Sequence, residues 1–292
     1  MTKPVCEIVS FKCESQSLLG VFHFPQRQSR SVGVVIVVGG PQYRVGSHRQ
    51  FLQTARCLAL VGYPVLRFDC RGMGDNEGIF PGFENIELDI SAAIACLKEQ
   101  SPNITGVVLW GLCDAASACL MYCAHKEARV AGLILANPWV RTAGGQAKTY
   151  VRHYYLQRLL QKSFWANFLS GKFEFTRSIR GLATNFMDSM GLRRRRGVAP
   201  GTNFIERMMD GLRVFDGPIL LLLSERDLTA KEFTDFCSDN VSWANAIAKQ
   251  SVRTEILPDT DHTFSGQNGQ RLADRFCVEW LASACFDSAG AG

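Results

Sequence analysis

A cysteine lies between a predicted strand and a predicted helix in the segment "GVVLWGLCDAASACLMYCAH". The turn that joins them, Gly111 to Ala115, matches the pattern G-x-S-x-G of a nucleophile that directly follows a strand, with Cys113 in place of Ser and Ala in place of the last Gly. In the first turn of a helix the peptide dipoles stabilise a thiolate. Cys113 is therefore a candidate nucleophile, although a small residue that only fills a tight junction shows the same pattern.

A nucleophile of this kind needs a base and an orienting acid. In the G-x-S-x-G arrangement the acid and then the histidine follow the nucleophile along the chain. Asp227 follows the buried strand predicted for "PILLLLS", and His262 is the single histidine after it. We therefore predict that Cys113, Asp227 and His262 form a catalytic triad. Three other carboxylates near these positions remain alternatives for the acid: Glu225, Asp259 and Asp261.

An attacked carbonyl develops an oxyanion, which needs N–H donors. One donor is expected from the backbone of Asp114, the residue after the nucleophile, and another from the loop "GGPQYR" after an early strand. Gly39 and Gly40 permit a close approach of the backbone, but Pro41 has no N–H. Gln42 is the predicted loop donor, through its backbone or its side-chain amide.

The carboxylate of Asp114 has two opposite effects at this position. A negative charge in the first turn of a helix is stabilised by ~0.3–1 kcal/mol. The same charge beside Cys113 disfavours a thiolate. Which effect dominates is left open by the sequence.

Buried strands alternate with helices along most of the chain. Five apolar runs are typical of strands in a parallel sheet: "VGVVIVV", "YPVLRFD", "GVVLW", "GLILA" and "PILLLLS". Segments with helical spacing lie between them, and alternating residues near the N-terminus predict two antiparallel strands. The pattern predicts an α/β fold with a mostly parallel central sheet and helices on both faces.

Residues 138–213 interrupt this pattern, and we predict that they form a helical lid inserted into a core of residues 1–137 and 214–292. The insertion has fourteen Lys and Arg against four Asp and Glu, whereas the rest of the chain has a net charge of −5. This basic excess either attracts an anionic substrate or forms a solvated surface. The aromatic residues of the insertion, Trp165 among them, either line an acyl pocket or pack the lid onto the core.

Composition bounds the remaining possibilities. The chain has 292 residues, of which 47% are apolar and 20% charged, as in a soluble globular protein. It has no stretch approaching the ~18 apolar residues of a membrane span and no secretory signal pattern, so we expect a cytoplasmic protein without integral membrane association. Eleven scattered cysteines without a C-x-x-C pair indicate neither a disulfide framework nor a zinc site, and we predict no metal and no cofactor. No nucleic-acid partner is predicted, because the basic residues accompany no recognisable binding fold.

Together these motifs resemble the α/β-hydrolase superfamily. The segment "DCRGMGDNEG" resembles the D-x-R-G-x-G-x-S turn common in that superfamily, with Asn76 where Ser is usual, and the predicted lid lies where such enzymes carry one. More narrowly, "GGPQYRVGSHRQ" and "LWGLCDAASA" are similar to the type 1 hydrolase associated with the exosortase A system, a bacterial family found with exopolysaccharide genes. The chain departs from the superfamily in having Gly39-Gly40 where His-Gly is usual. Its cysteine nucleophile resembles that of dienelactone hydrolases and polyhydroxyalkanoate synthases.

The resemblance implies an enzyme that processes acyl groups through a thioester on Cys113. Hydrolysis of an ester or thioester is the first expectation. Transfer of the acyl group to a sugar, amine or thiol is an alternative, because a thioester stays reactive toward these acceptors, and a non-catalytic hydrolase-like binding protein is another. We expect a small-molecule or carrier-bound acyl substrate, with CoA or acyl-carrier thioesters and nucleotide sugars as anionic candidates. The predicted substrate-binding residues are Tyr43, Arg44 and Trp165.

Overall fold

Eight strands form one sheet in the part of the chain that this computed structural model describes, residues 5–40, 42–125, 129–140, 204–284 and 286. The strands are β1 (Cys6–Cys13), β2 (Gln16–His23), β3 (Val32–Val37), β4 (Val65–Phe68), β5 (Gly106–Leu112), β6 (Val130–Ala136), β7 (Ile219–Ser224) and β8 (Val252–Leu257). Their order in the sheet is β1-β2-β4-β3-β5-β6-β7-β8. The pairs β1–β2 and β2–β4 are antiparallel and the others are parallel, which confirms the predicted α/β fold.

Helices follow the strands as the alternating pattern predicts. The described residues contain α1 (Gln50–Leu60), α2 (Glu87–Gln100), α3 (Asp114–Cys123), α4 (Phe204–Val214), α5 (Leu228–Asp239), α6 (Val241–Ile247) and α7 (Gln267–Ser283). α1 packs against α7, whereas α2 packs against α3 and α3 against α4. None of these helices has the length and apolar character needed to cross a membrane.

The central strands bring two loops to one edge of the sheet. Every residue of β3 and β5 is buried, as their unbroken apolar sequences predict. The two strands pair in parallel, with Val37 opposite Gly111. Because β3 and β5 both end at the carboxyl edge of the sheet, the loop that begins at Gly39 lies beside the junction that holds Cys113.

The predicted lid falls mostly outside the described residues, which resume at Phe204. Helix α4 comprises the last residues of the predicted insertion and packs closely on α3. A Cβ atom at Gly211 of α4 would lie 1.8 Å from the carbonyl oxygen of Leu120, so only glycine permits this approach of the two backbones. The boundaries at 138 and 213 stay predictions.

The turn after β4 is tied to α2 by a buried ion pair. The guanidinium of Arg71 donates to the carboxylate of Asp89 through Nε at 3.1 Å and Nη2 at 2.9 Å, and the backbone N–H of Arg71 donates to the same carboxylate at 2.9 Å. The Asp89 side chain has no exposed surface. Gly72 in this turn has φ +70°, and a Cβ there would lie 2.3 Å from the backbone nitrogen of Phe80. The glycine is therefore required by both conformation and space.

Asn76 connects the same turn to β2. Its Oδ1 accepts the backbone N–H of Leu19 at 2.8 Å, and its Nδ2 donates to the carbonyl oxygen of Asp69 at 2.6 Å. An amide provides both an acceptor and a donor with enough reach for these two contacts. This accounts for an asparagine where the sequence pattern usually has serine.

We predict that Asp89→Ala destabilises the fold by about 3–5 kcal/mol, because it leaves the Arg71 guanidinium partly buried without its main partner. Urea unfolding followed by circular dichroism measures the change. Asp210→Ala is the matched control: Asp210 and its partner Arg213 are exposed, so the loss should stay below about 1 kcal/mol. Equal effects of the two substitutions would contradict the structural role of the buried pair.

Candidate active site

Cys113 lies at the junction between β5 and α3 in a conformation that few non-glycine residues adopt, with φ +61° and ψ −123°. The junction is closed by Gly111, at which a Cβ atom would lie 2.7 Å from the backbone of Ala115. The carbonyl oxygen of Cys113 accepts the backbone N–H of Ala116 at 3.1 Å and that of Trp139 at 3.2 Å. These contacts hold a half-buried thiol at the edge of a cavity.

His262 and Asp227 form the second part of the site. Nδ1 of His262 and Oδ2 of Asp227 are 2.7 Å apart. Asp227 is also the cap of α5, where its carboxylate accepts the backbone N–H groups of Thr229 at 3.0 Å and Ala230 at 3.2 Å. Because the helix start holds the carboxylate in place, the imidazole receives a fixed orientation.

The charge on His262 reflects both partners. Burial lowers the pKa of the imidazole, but hydrogen bonds to the Asp227 carboxylate and the Cys113 sulfur raise it, and the result is a pKa of about 10. His262 is therefore protonated near neutral pH. The structure brings the three residues of the predicted triad together in the order Cys113, His262, Asp227, and their catalytic roles remain a prediction.

The three alternative acids make other contacts. Glu225 accepts the backbone N–H of Asp259 at 2.8 Å, and Asp259 pairs with Arg226 at 2.6 Å. Asp261 accepts the backbone N–H groups of Thr263 and Ser265 within its own loop. Of the candidate acids, Asp227 is the one whose carboxylate contacts the imidazole of His262 in the described structure.

A buried asparagine positions the histidine loop, and sequence reasoning missed it. Nδ2 of Asn137 donates to the carbonyl oxygen of His262 at 3.3 Å and to Oγ of Ser224 at 3.1 Å, while its Oδ1 accepts the backbone N–H of Ser224 at 2.8 Å. Asn137 follows β6 and has φ +44°. The available signal was its position, since a polar residue directly after a buried parallel strand lies at the edge where the sites of such sheets form.

The side chain of Asp114 contacts the loop that begins at Gly39 and Gly40, which we call the glycine loop. Its Oδ2 accepts the backbone N–H of Gly40 at 2.8 Å, and its Oδ1 accepts the backbone N–H of Ala115 at 3.0 Å. Burial raises the pKa of the Asp114 carboxyl above its usual range, against the lowering effect of these N–H groups and of the charge on His262. The predicted backbone donor thus has a side chain that itself binds the loop.

Gln42 lies at the cavity, as expected for the predicted loop donor. Its Oε1 accepts the backbone N–H of Ser47 at 3.4 Å and Nε2 of Gln50 at 3.3 Å. No described residue accepts a hydrogen bond from its backbone N–H. Pro41 lies outside the described residues, and the role of Gln42 as a donor stays a prediction.

The end of the glycine loop is held by the residues around β4. Asp69, which has no exposed side-chain surface, accepts both the backbone N–H and the guanidinium of Arg44. The same guanidinium pairs with Asp75 at 2.7 Å, and the carbonyl oxygen of Arg44 accepts Nη1 of Arg67 at 2.7 Å. Both backbone groups of Arg44, its N–H and its carbonyl, are therefore held by buried side chains.

The predicted substrate-binding residues are not brought together by the described structure. Arg44 is engaged by the two carboxylates, and Tyr43 is half exposed and does not line the cavity. Trp165 lies outside the described residues. Substrate contacts of all three stay predictions.

A cavity of about 270 Å³ opens beside Cys113. Its lining is mainly apolar, and sequence reasoning missed the three aromatic residues in it, which come from separate elements: Phe51, Phe83 and Trp139. Such a lining suits an acyl chain better than a charged group. No cluster of metal-ligating side chains occurs among the residues with described positions.

Comparisons with known proteins identify the family. The model described as "Alpha/beta hydrolase family" matches residues 34–275, and the chain belongs to this family. An esterase from Pyrococcus furiosus is 16% identical with a TM-score of 0.64, over 96% of this chain and 92% of that chain. Est1E from Butyrivibrio proteoclasticus, solved with bound ferulic acid, is 13% identical with a TM-score of 0.60, over 94% of this chain and 100% of that chain.

A thermostable carboxyl esterase from Bacillus coagulans, solved with glycerol, is 15% identical with a TM-score of 0.62, over 95% of this chain and 98% of that chain. No curated protein matches the sequence. At these identities the solved structures are evidence of a shared fold.

We predict that iodoacetamide alkylates Cys113 faster than the exposed Cys6 at about pH 7, because the imidazolium of His262 stabilises a thiolate. The advantage should shrink at alkaline pH, because an ordinary thiol with a pKa of ~8.5 is then a thiolate without a cationic partner. His262→Asn should lower the Cys113-to-Cys6 rate ratio near pH 7 by roughly tenfold. Peptide mass spectrometry follows both cysteines in one sample, so Cys6 is an internal reference. An unchanged ratio in His262→Asn would show that the histidine does not activate the thiol.

Proposed function

We propose that this member of the α/β-hydrolase family hydrolyses esters or thioesters through an acyl-enzyme on Cys113. The observation that carries the proposal is that Cys113 and His262 line the same mainly apolar cavity, while Nδ1 of His262 contacts the Asp227 carboxylate at 2.7 Å. Cys113 has the backbone conformation of a nucleophile presented between a strand and a helix. A residue with only a packing role has no need of that strain or of a charged partner.

In the proposed reaction the proton of the Cys113 thiol resides on His262. The thiolate attacks the carbonyl carbon, a C–S bond forms, and the electron pair of the C=O bond moves to the oxygen. Backbone N–H groups of Asp114 and Gln42 stabilise this oxyanion. When the intermediate collapses, the C–O or C–S bond to the leaving group breaks, and the departing alcohol or thiol takes the proton from His262.

The second half of the reaction releases the acid. Water attacks the thioester carbonyl while neutral His262 accepts one of its protons. Collapse of the second tetrahedral intermediate breaks the C–S bond, releases the carboxylic acid and restores the thiolate–imidazolium pair. Asp227 keeps Nε2 of His262 directed at the sulfur throughout, since it holds Nδ1.

The cavity indicates the kind of acyl group. Its volume of about 270 Å³ and its three aromatic side chains suit a short or medium acyl chain or an aromatic acid. Est1E, which was solved with bound ferulic acid, shares the fold and supports the second option. The acyl group can arrive as a small ester or as a CoA or acyl-carrier thioester, and a role in bacterial exopolysaccharide metabolism follows from the narrower family resemblance.

Transfer of the acyl group is the second candidate, and the cysteine favours it. A thioester on Cys113 reacts with amines and thiols as well as with water, whereas an ester on serine is less reactive toward them. The acceptor that reaches the thioester separates the two functions. A sugar, amine or thiol acceptor would make the enzyme an acyltransferase with the same triad.

We predict that 4-nitrophenyl esters and acyl-CoA thioesters of increasing chain length leave an acyl adduct on the wild-type protein. Intact-mass measurement after rapid acid quenching should show the added acyl mass, and peptide mapping should place it on Cys113. Cys113→Ala should form no adduct and lose at least about 10³-fold of the turnover. Added hydroxylamine or cysteine as acceptor should divert the product from free acid to hydroxamate or acyl-cysteine.

Two controls make this experiment decisive. Cys119→Ala changes a buried cysteine in α3, six residues after Cys113, and should form the adduct normally. Cys113→Ser replaces the thiol with a hydroxyl nucleophile, so a more slowly hydrolysed ester adduct is expected. Absence of both adduct and turnover across the panel would contradict the proposal and favour a non-catalytic binding protein.

A further inference from the structure

The carboxylate of Asp114 occupies a group of backbone donors at the edge of the sheet. It accepts the N–H of Gly40 at 2.8 Å from the glycine loop and the N–H of Ala115 at 3.0 Å from the start of α3. The backbone N–H of Asp114 belongs to the first residue of α3, directly after Cys113. Donors from a loop after an early strand and from the residue after the nucleophile are the two sources of an oxyanion hole.

The loop is shaped around this carboxylate. A Cβ atom at Gly39 would lie 2.1 Å from Oδ1 of Asp114 and 2.8 Å from the backbone nitrogen of Ala115. Gly40 has φ +59°, a conformation that favours glycine, and this directs its N–H to the carboxylate. The two glycines therefore accommodate the Asp114 side chain in the position where the loop meets α3.

The charge of the bound group matches that of a reaction intermediate. A tetrahedral intermediate on Cys113 would place a negative oxygen near the N–H groups of Asp114 and the glycine loop. The Asp114 carboxylate already occupies the Gly40 member of that set. Two anions cannot share one small set of donors without mutual repulsion.

We propose that the side chain of Asp114 is an internal anion that occupies part of the oxyanion hole in the resting enzyme, and that acylation of Cys113 requires it to leave the N–H of Gly40. The inference rests on the proposed function of Cys113. It gives Asp114 two opposite contributions, a backbone donor that assists the reaction and a side chain that competes with the oxyanion. Gln42 stays the predicted second loop donor, and Gly40 joins it once Asp114 has left.

Removal of the Asp114 charge should make the oxyanion hole more favourable for the reaction intermediate. Asp114→Asn retains an oxygen that can accept the N–H of Gly40, but its neutral amide does not repel an oxyanion. Asp114→Ala removes the competitor altogether. Both substitutions should accelerate acylation, because Asp114→Asn ends the repulsion of the developing oxyanion and Asp114→Ala also frees the N–H of Gly40.

The experiment must separate the oxyanion hole from the reactivity of the thiolate, since the loss of a neighbouring anion affects both. Alkylation of Cys113 by iodoacetamide forms no oxyanion and reports the thiolate alone, whereas acylation by 4-nitrophenyl butyrate forms one. We expect the acylation-to-alkylation rate ratio to rise by about tenfold or more in Asp114→Asn and Asp114→Ala. Asp210→Asn removes an exposed carboxylate and should leave the ratio unchanged.

The outcomes distinguish this inference from the proposed function. A ratio that is unchanged or lower in both Asp114 variants, in protein that thermal unfolding shows to be folded, overturns the inference alone. No acylation of Cys113 in any variant overturns the proposed function and the inference with it. The Gly40 amide proton in ¹⁵N-glycine-labelled protein provides a test without substrate: it should shift upfield in Asp114→Ala, and an unchanged resonance would show that the carboxylate does not hold it.

Discussion

The tight junction between β5 and α3 is the constraint on which the rest of the site depends. Gly111 leaves no space for a side chain against Ala115, and Cys113 adopts a positive φ so that the chain can turn directly from a buried strand into a helix. This turn places the thiol at the carboxyl edge of the sheet and directs the first N–H groups of α3 toward the same point. A looser connection would separate the sulfur from those donors. The glycine loop, which the parallel pairing of β3 with β5 brings to this edge, would then no longer lie beside the sulfur.

Around this junction the neighbouring elements hold their functional groups through the backbone. Asp227 is fixed because it caps α5, His262 is fixed because Asn137 binds its carbonyl oxygen, and the glycine loop is fixed by the bonds of Arg44. Each of these partners is buried or half-buried, where a hydrogen bond to a charged group is stronger than at the surface. The site is therefore preorganised by ordinary elements of the fold, with little dependence on exposed loops.

Three neighbouring groups set the electrostatics of the site: the His262 imidazole, the Asp227 carboxylate and the Cys113 sulfur. The imidazolium of His262 lies between the carboxylate of Asp227 and the sulfur of Cys113, and this arrangement raises its pKa to about 10 despite burial. Asp114 adds a second carboxylate directly after Cys113, and in the proposed mechanism this charge opposes both the thiolate and the oxyanion. The contacts of Asp114 explain how the fold tolerates that charge, because the backbone N–H groups of Gly40 and Ala115 replace water that burial has removed.

The sequence by itself determined seven of the eight described strands, their order along the chain and the candidates for the triad, but it missed β8, whose residues are mostly half-buried or exposed rather than apolar and buried. These features depend on local periodicity and on the order of residues along the chain, both of which can be read directly. Even local structure shows a limit: the amphipathic pattern of "FENIELDISAAIACLKEQ" predicts a helix from Phe83, but α2 begins only at Glu87, after a 3-10 turn at Phe83–Asn85. The contacts of Asp114 with Gly40, of Asn137 with His262 and of Asp69 with Arg44 join residues far apart in the chain. Only the tertiary structure decided them, because the register of the parallel strands and the packing of the loops set which side chains meet at one edge.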